Sequence, residues 1–284
     1  MKSNLINILV CPSCKTGKYQ QTSEEQLTCQ NCGQVIFIKA GIPCFTAIPE
    51  DIRPTEKRTR GASVDTPWRQ ANTKFLKEQS AALPSDAVIL DIGAGPGEFA
   101  AIFSGRQYFS IDIYPYAEVD LVCDITQVLP FAPASVDVVV LTNVLEHLPE
   151  AANFLKVVSG LLHPGGKVLV SVPFMLKIHQ APYDFARYTH YLLERMGRDA
   201  GLSLDLLDGY YDPTFLAGES MRYIRFWTLP KLSRVMRLFV RTIMFGMDAL
   251  IGLLGVLIGR GFTRSVTQEN NPAPVGYHVI YRKI

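Results

Sequence analysis

An excess of charge of either sign is missing from this chain. Its 284 residues carry 28 Lys and Arg against 26 Asp and Glu, a formal net charge of +2, so no whole-protein field argues for a nucleic-acid partner. Cysteine is scarce: six residues are too few for a disulfide scaffold at this length. The stretch from Met1 to Val10 has one Lys and a short apolar run, without the length or small-residue cleavage site of a signal peptide. There is no internal repeat and no low-complexity tract. With 48% hydrophobic and 19% charged residues the composition is globular, which excludes disorder of the whole chain and suits one large or two modest domains.

The cysteines that are present are placed tellingly. Cys11, Cys14, Cys29 and Cys32 form two Cys-x-x-Cys pairs. Each pair offers two thiolates to one tetrahedral ion, and four thiolates satisfy a structural Zn2+ with no position left for catalysis. Neither pair opens a helix of a thioredoxin-like unit, which argues against a dithiol redox role. Thiolate zinc ligands suit a reducing cytoplasm. Cys44 and Cys123 lie in apolar runs and read as buried thiols. Residues 1–45 thus read as a zinc-bound unit, 46–66 as a polar linker and 67–284 as the main domain. On that boundary, loss of zinc unfolds 1–45 and spares the rest. The segments NILVCPSCKTGK, LTCQNCG and IKAGIPCF resemble the small zinc-ribbon proteins that activate tRNA, rRNA and protein methyltransferases. Such ribbons are usually separate subunits; here the ribbon is fused, so the resemblance implies an activating role only as an expectation.

Beyond the linker, 67–80 reads as an amphipathic helix opening at Pro67. Candidate strands then fall at 87–92, 107–113, 119–123, 136–142, 166–173 and 203–210, with candidate helices near 97–104, 149–162 and 188–200. Tyr277, Val279 and Tyr281 alternate as in a closing strand. The alternation predicts an α/β fold, a doubly wound and mainly parallel Rossmann-like sheet of about seven strands.

The central motif is VILDIGAGPGEFA at 88–100: an apolar strand, Asp91, then Gly93, Gly95 and Gly97. Glycines let the backbone turn sharply and approach a ligand. Downstream, FSIDIYP ends a strand on Asp112, where an acid can hold a ribose diol, and VCDI puts Asp124 on a further strand-end loop. The loop lacks the third glycine of G-x-G-x-x-G, and Glu98 at the helix start would repel a pyrophosphate. A sulfonium ligand without phosphates tolerates such acids.

With LPFAPASVDVVVLTNVLEHL and LLHPGGKVLVSVPF following in order, the chain resembles class I methyltransferases that use S-adenosylmethionine, of the type 11-like group, over about 86–210. The resemblance implies that Asp91, Gly93, Ala94, Gly95 and Gly97 line the methionine and ribose portion. It implies that Asp112 accepts from the ribose hydroxyls and Asp124 from the adenine amino group. Ile113 and Ile125 would pack on the ring, and Asn143 would border the methionyl part.

Methyl transfer needs a general base only when the acceptor is a protonated group such as a hydroxyl. VPFMLKIHQAPYDFARYTHYLLERMGRDAGL supplies candidates: His179 to take the proton, Asp184 to orient it, and Tyr183 and Arg187 to grip the acceptor, with His147 of LEHL as a second candidate. The pattern P-F…H-x-x-P-Y-D-F-x-R-Y-T resembles methyltransferases of glycan or lipid-linked substrates. Structural roles stay open beside these. Asp184 would cap a helix near Tyr188, Arg187 would pair with an acid, either His would be a loop hydrogen-bonder, and Glu146 would be solvated.

Residues 212–274 read as a helical insert before the last strand. Within it, 222–264 holds eight Lys and Arg against Asp248 alone. The eighteen residues TIMFGMDALIGLLGVLIG approach a bilayer span in length, yet the chain must return to complete its sheet, and Asp248 opposes burial in lipid. An interfacial helix or hairpin on an anionic membrane surface fits, as does a lid or dimer face. The expected function is therefore O-methylation of a glycan or lipid-linked acceptor by a cytoplasmic enzyme peripheral to the inner membrane face. A tRNA or rRNA acceptor is the first rival, opposed by only four Lys in 1–45. A cofactor-binding scaffold that presents the ribbon to a partner is the second.

Overall fold

A computed structural model describes residues 2, 4–47, 66–258, 261–265 and 273–284. Most of the 46–66 linker, namely 48–65, lies outside the described residues, as do 259–260 and 266–272 of the insert.

In chain order the elements are α1 (Leu5–Ile8), β1 (Tyr19–Ser23), β2 (Gln26–Cys29), β3 (Val35–Lys39), β4 (Ile42–Cys44), α2 (Pro67–Ala81), β5 (Val88–Ile92), β6 (Gln107–Asp112), β7 (Leu121–Val122) and β8 (Val136–Thr142). There follow α3 (Ala151–Leu161), β9 (Leu162–Pro173), α4 (His190–Asp199), β10 (Leu202–Tyr211), α5 (Pro213–Thr228), α6 (Arg234–Ile258), β11 (Phe262–Ser265) and β12 (Gly276–Lys283). The expected strands and three of the four expected helices, α2, α3 and α4, are present. Where a helix was expected at 97–104 there is only a 3-10 turn, Ala100–Phe103. Gly95 and Gly97 both hold positive φ, so no α-helix can start until past them.

The sheet runs β1-β2-β3-β4-β7-β6-β5-β8-β9-β12-β10-β11. From β7 to β10 this contains the seven strands expected, with β7, β6, β5, β8 and β9 parallel and β12 antiparallel to both its neighbours. Among the described residues the count of about seven is corrected to twelve: β11 extends one edge, and the four ribbon strands extend the other. A ribbon has an edge of its own with unpaired backbone groups. It meets the edge of the main sheet at Cys44 and Val122, where Phe45 N–H donates to Val122 O at 2.8 Å.

The ribbon is anchored by more than this pairing. Leu9 bridges Phe131, Val10 N–H donates to Pro130 O at 3.0 Å, and Ala132 N–H donates to Ile8 O at 2.8 Å. Leu5, Leu9, Tyr19 and Leu27 share one buried cluster with Phe131, Cys123 and Leu141. The apolar core therefore runs across the sequence boundary at residue 45. Cys123 is buried as expected, whereas Cys44, at the junction, is half-exposed.

Helix α2 begins where Thr66 Oγ1 accepts from Arg69 N–H, and Pro67 follows at its first turn. It buries Phe75 and Leu76 against the sheet, each worth about 1.5–3 kcal/mol. Its Trp68 and Phe75 sandwich His278 of β12 at centroid distances of 5.1 and 4.6 Å, and Asn72 Oδ1 lies 2.9 Å from His278 Nε2. Helix α2 is thus clamped over β12, and its Trp68 reaches Asn143 at the carboxyl end of β8, in the site described next.

Candidate functional site

In an open parallel sheet the carboxyl ends of the strands, where loops diverge, form the ligand edge. The loop after β5 is fixed by two bonds: Gly93 and Ala94 N–H both donate to Ile111 O, at 2.9 and 3.1 Å. Gly93 has φ +71°, and a Cβ there would stand 2.7 Å from a Val144 methyl, so only glycine fits. Gly95 has φ +56° and nothing within 4 Å of where a Cβ would stand: its backbone faces open space. Asp112, at the end of β6, turns toward this loop. Its Oδ2 accepts from Gly95 N–H at 2.8 Å and its Oδ1 from Tyr114 N–H at 3.0 Å.

Asp91 lies deeper than its expected role suggests. It is 2% exposed, and Tyr108 Oη donates to its Oδ2 at 2.6 Å. Burial pushes the Asp91 carboxyl up to about 7, with the Asp112 charge adding and the Tyr108 hydrogen bond opposing. Asp91 therefore ties β5 to β6 beneath the glycine loop. Asp124 caps its own turn: Oδ1 accepts from Thr126 N–H and Oγ1, and Oδ2 from Gln127 Nε2. Ile113 and Ile125 are half-buried, and Ile125 borders a cleft of about 440 Å3 that extends to Leu148 and Phe154. Asn143, with φ +53° at the end of β8, accepts from Trp68 Nε1 at 3.0 Å through its Oδ1. Glu98 does not stand free at a helix start; it pairs with Arg69 at 2.9 Å.

Two neighbouring loops carry the residues expected on the acceptor side. After β8 a single turn, Leu145–His147, carries Glu146 and His147; after β9 comes the segment with His179 and Asp184. His179 Nδ1 lies 3.2 Å from Asp184 Oδ2 and 3.3 Å from Lys177 O, both acceptors, so Nδ1 carries the proton and Nε2 the lone pair. Asp184 also accepts from His179 backbone N–H at 2.8 Å. Arg187 grips Asp184 at 2.5 and 2.8 Å and reaches the carbonyls of Leu176, Lys177 and Ala186, holding the Asp184 carboxyl well below the usual range. Arg187 is thus a brace for Asp184 rather than a free group for the acceptor. Asp184 is not the cap of α4 either: Thr189 takes that place, its side chain accepting from Leu192 N–H. Tyr183 leaves its ring half-exposed and gives its carbonyl to His147 Nδ1 at 2.6 Å.

Glu146 overturns its expected solvation. It is 0% exposed, and neither carboxyl oxygen has a hydrogen-bond partner. Burial pushes it up to about 8. The sequence signal was present in TNVLEHL, where an acid sits inside an apolar run, but what covers Glu146 lies some forty residues on: Phe185 N–H donates to its carbonyl at 2.8 Å, and Tyr188 Oη donates to Leu145 O at 2.6 Å.

In the ribbon the four cysteine sulfurs all lie within 4.8 Å of one another. Cys11 and Cys32 are 3.6 Å apart, and Cys14 and Cys29 are 3.7 Å apart. Zinc–sulfur bonds of about 2.3 Å imply tetrahedral edges of about 3.8 Å, so the set fits that ion. The Cys14 thiol is held down to about 5 by the backbone of Thr16 and the side chain of Asn31, which favours the thiolate a metal requires.

Parallel strands, a glycine loop after the first of them, an acid ending the second and a closing antiparallel strand define the class I methyltransferase fold. Residues 66–206 match the methyltransferase domain family, and this part of the chain is a methyltransferase domain of that class. An uncharacterized methyltransferase of Mycobacterium sp. strain KMS is 32% identical over 99 residues, 31% of this chain and 39% of that protein. Another, of Mycobacterium avium strain 104, is 32% identical over 123 residues, 39% and 46% of the two chains. The chain thus spans less than half the length of these curated relatives. A solved S-adenosylmethionine-dependent methyltransferase from Archaeoglobus fulgidus is 15% identical with a TM-score of 0.47, covering 76% of this chain and 94% of that one.

Proposed function

We propose that this protein transfers a methyl group from S-adenosylmethionine to a hydroxyl of a glycan or lipid-linked acceptor at an anionic membrane surface. The observation that carries the cofactor assignment is the pairing of Asp112 with the open backbone of Gly95. Asp112 and the loop Gly93–Gly97 would hold the ribose and methionine, Asp124 with Ile113 and Ile125 the adenine, and Asn143 the methionyl end. The bound cofactor supplies an electrophilic methyl on a sulfonium. What the chain adds is orientation, exclusion of water and a place for the acceptor proton. His179 Nε2, its tautomer set by Asp184 and Lys177, would take that proton as the oxygen–methyl bond forms and the sulfur–methyl bond breaks.

Helices α5 and α6 support the membrane part. Helix α6 is long and apolar enough to cross a bilayer, with a mean hydropathy of 1.7 over an 18-residue window of which 11% is buried. Large apolar side chains stand exposed along the pair, among them Trp227, Phe239 and Phe245. Asp248, the charge that argued against lipid, pairs with Arg225 across the two helices. An apolar, arginine-rich hairpin of this kind suits the headgroup boundary, where each Lys or Arg adds about 1 kcal/mol on anionic lipid.

The test is transfer of labelled methyl from S-adenosylmethionine into host extract divided into lipid, glycan, RNA and protein fractions. Label in lipid or glycan is expected. Label in RNA would shift the acceptor and make the ribbon a recognition module; label nowhere, with cofactor bound, would favour a scaffold. Asp112→Ala is expected to weaken cofactor binding by more than 100-fold while leaving the circular dichroism spectrum unchanged. Unaltered affinity, measured by calorimetry, would remove the site assignment.

A further inference from the structure

We propose that Glu146, His147 and His179 form a binding site for a divalent transition-metal cation, held by one carboxylate and two imidazoles beside the proposed path of the acceptor. Only the cation's role toward that acceptor rests on the methyltransferase reading; the site itself does not.

The geometry carries the proposal. Each of the three residues offers a ligand atom, and these atoms lie within 4.8 Å of one another. Both imidazoles stand with Nε2 at 3.8 Å from the same Glu146 oxygen. That is too far for hydrogen bonds, so the three atoms approach one another without contacting. Metal–ligand bonds of about 2.1 Å give edges of about 3.4 Å in a tetrahedral site. The two Glu146–imidazole separations exceed this by about 0.4 Å and the two imidazoles offer atoms within 4.8 Å of each other, so a cation would draw the three side chains inward by torsion.

The outer contacts match a metal site equally well. His147 donates its Nδ1 proton to Tyr183 O, and His179 Nδ1 faces Asp184 and Lys177 O. Each ring is thereby fixed in the tautomer that presents an Nε2 lone pair inward, the arrangement metal-bound histidines show. Glu146 supplies the independent observation. It is fully buried with both oxygens unpartnered, and His147 Nε2 is likewise buried without a partner. Asp184 and Arg187 also face the cluster, but they neutralise each other. Among the described residues the cation that acts on Glu146, Arg187, is already paired with Asp184, and the Glu146 oxygens accept no hydrogen bond. A bound divalent ion would satisfy them.

Two nitrogens and one carboxylate suit Zn2+, Fe2+ or Mn2+ rather than Ca2+ or Mg2+, and three protein ligands leave coordination positions open. Because the ligands come from the loops after β8 and β9, those positions share the carboxyl edge with the glycine loop. An acceptor oxygen could fill one and be held toward the methyl donor. A cation on His179 Nε2 would exclude that atom as a base; the ion would instead lower the pKa of the coordinated hydroxyl, whose proton would pass to solvent before the oxygen–methyl bond forms and the sulfur–methyl bond breaks.

The test uses the full chain with its ribbon metal in place and Mn2+ as the probe, followed by the paramagnetic resonance signal of the free ion. One Mn2+ per chain is expected. Glu146→Gln and His147→Gln should each weaken it at least tenfold, with cofactor binding and circular dichroism as checks on folding. Should the buried variants fold poorly, His179→Asn, on a partly exposed side chain, gives the same reading. No Mn2+ bound by the wild-type chain up to millimolar concentration, or equal binding by the variants, overturns the site. Cofactor binding on the same samples judges the methyltransferase reading separately: Mn2+ bound without cofactor keeps the site, and cofactor bound without Mn2+ removes it.

Discussion

Stripping the metal from Cys11, Cys14, Cys29 and Cys32, or replacing Cys29 by Ala, is expected to lower the melting temperature of the entire chain in one transition. A structural zinc contributes about 10–16 kcal/mol to a small ribbon, comparable to the whole stability of an ordinary domain at 5–15 kcal/mol. Without it the ribbon unfolds. The ribbon then takes with it Leu5 and Leu9 from a core they share with Phe131 and Cys123, and the backbone bonds to Pro130 and Val122. Hydrogen exchange should show amides near 121–124 and 130–132 losing protection together with those of the ribbon. A main domain that melts unchanged, with those amides still protected, would mean that the ribbon is an independent module.

The second large effect is on pH. Asp91 has an unfolded value near 3.9 and a folded value of about 7. The folded state therefore binds the proton more tightly than the unfolded state. Its contribution is fully present below pH 4 and is lost as pH rises through 7. The swing is about 4 kcal/mol, or roughly 10 °C in melting temperature. Asp91→Asn keeps an acceptor for the Tyr108 hydroxyl and removes the titration. Its melting temperature should gain on that of the wild type between about pH 4 and pH 7 and level off above that. A constant difference across that range would show that Asp91 does not titrate there.

Much of this architecture was legible before any coordinates. The period-two and apolar runs located every strand from β5 to β10, because strands buried on both faces have little choice but Val, Ile and Leu. The cysteine spacing and the glycine loop located two sites for the same reason: few residue types can do what those positions require. What stayed hidden depended on partners distant in sequence. Glu146 is buried by a segment some forty residues on, Asp91 is tied by Tyr108, and Asn143 is oriented by Trp68, 75 positions earlier. The join between ribbon and sheet rests on one short strand pairing, an isolated bridge and shared core contacts, none of which leaves a periodic trace. Arg187 and Asp184 were both seen as candidates, but not that each consumes the other.

That join bears on how the protein behaves in crowded company. Strand β7 is only two residues long and would otherwise end the parallel sheet with bare amide and carbonyl groups. The ribbon caps this flank, and its outermost strand β1 presents polar Gln20, Gln21, Thr22 and Ser23 instead. The fused ribbon is thus a guard against edge-to-edge association, and with a metal on its four cysteines, metal supply would set whether the guard is in place. Zinc starvation would be felt first as self-association of the chain, before any change in its chemistry.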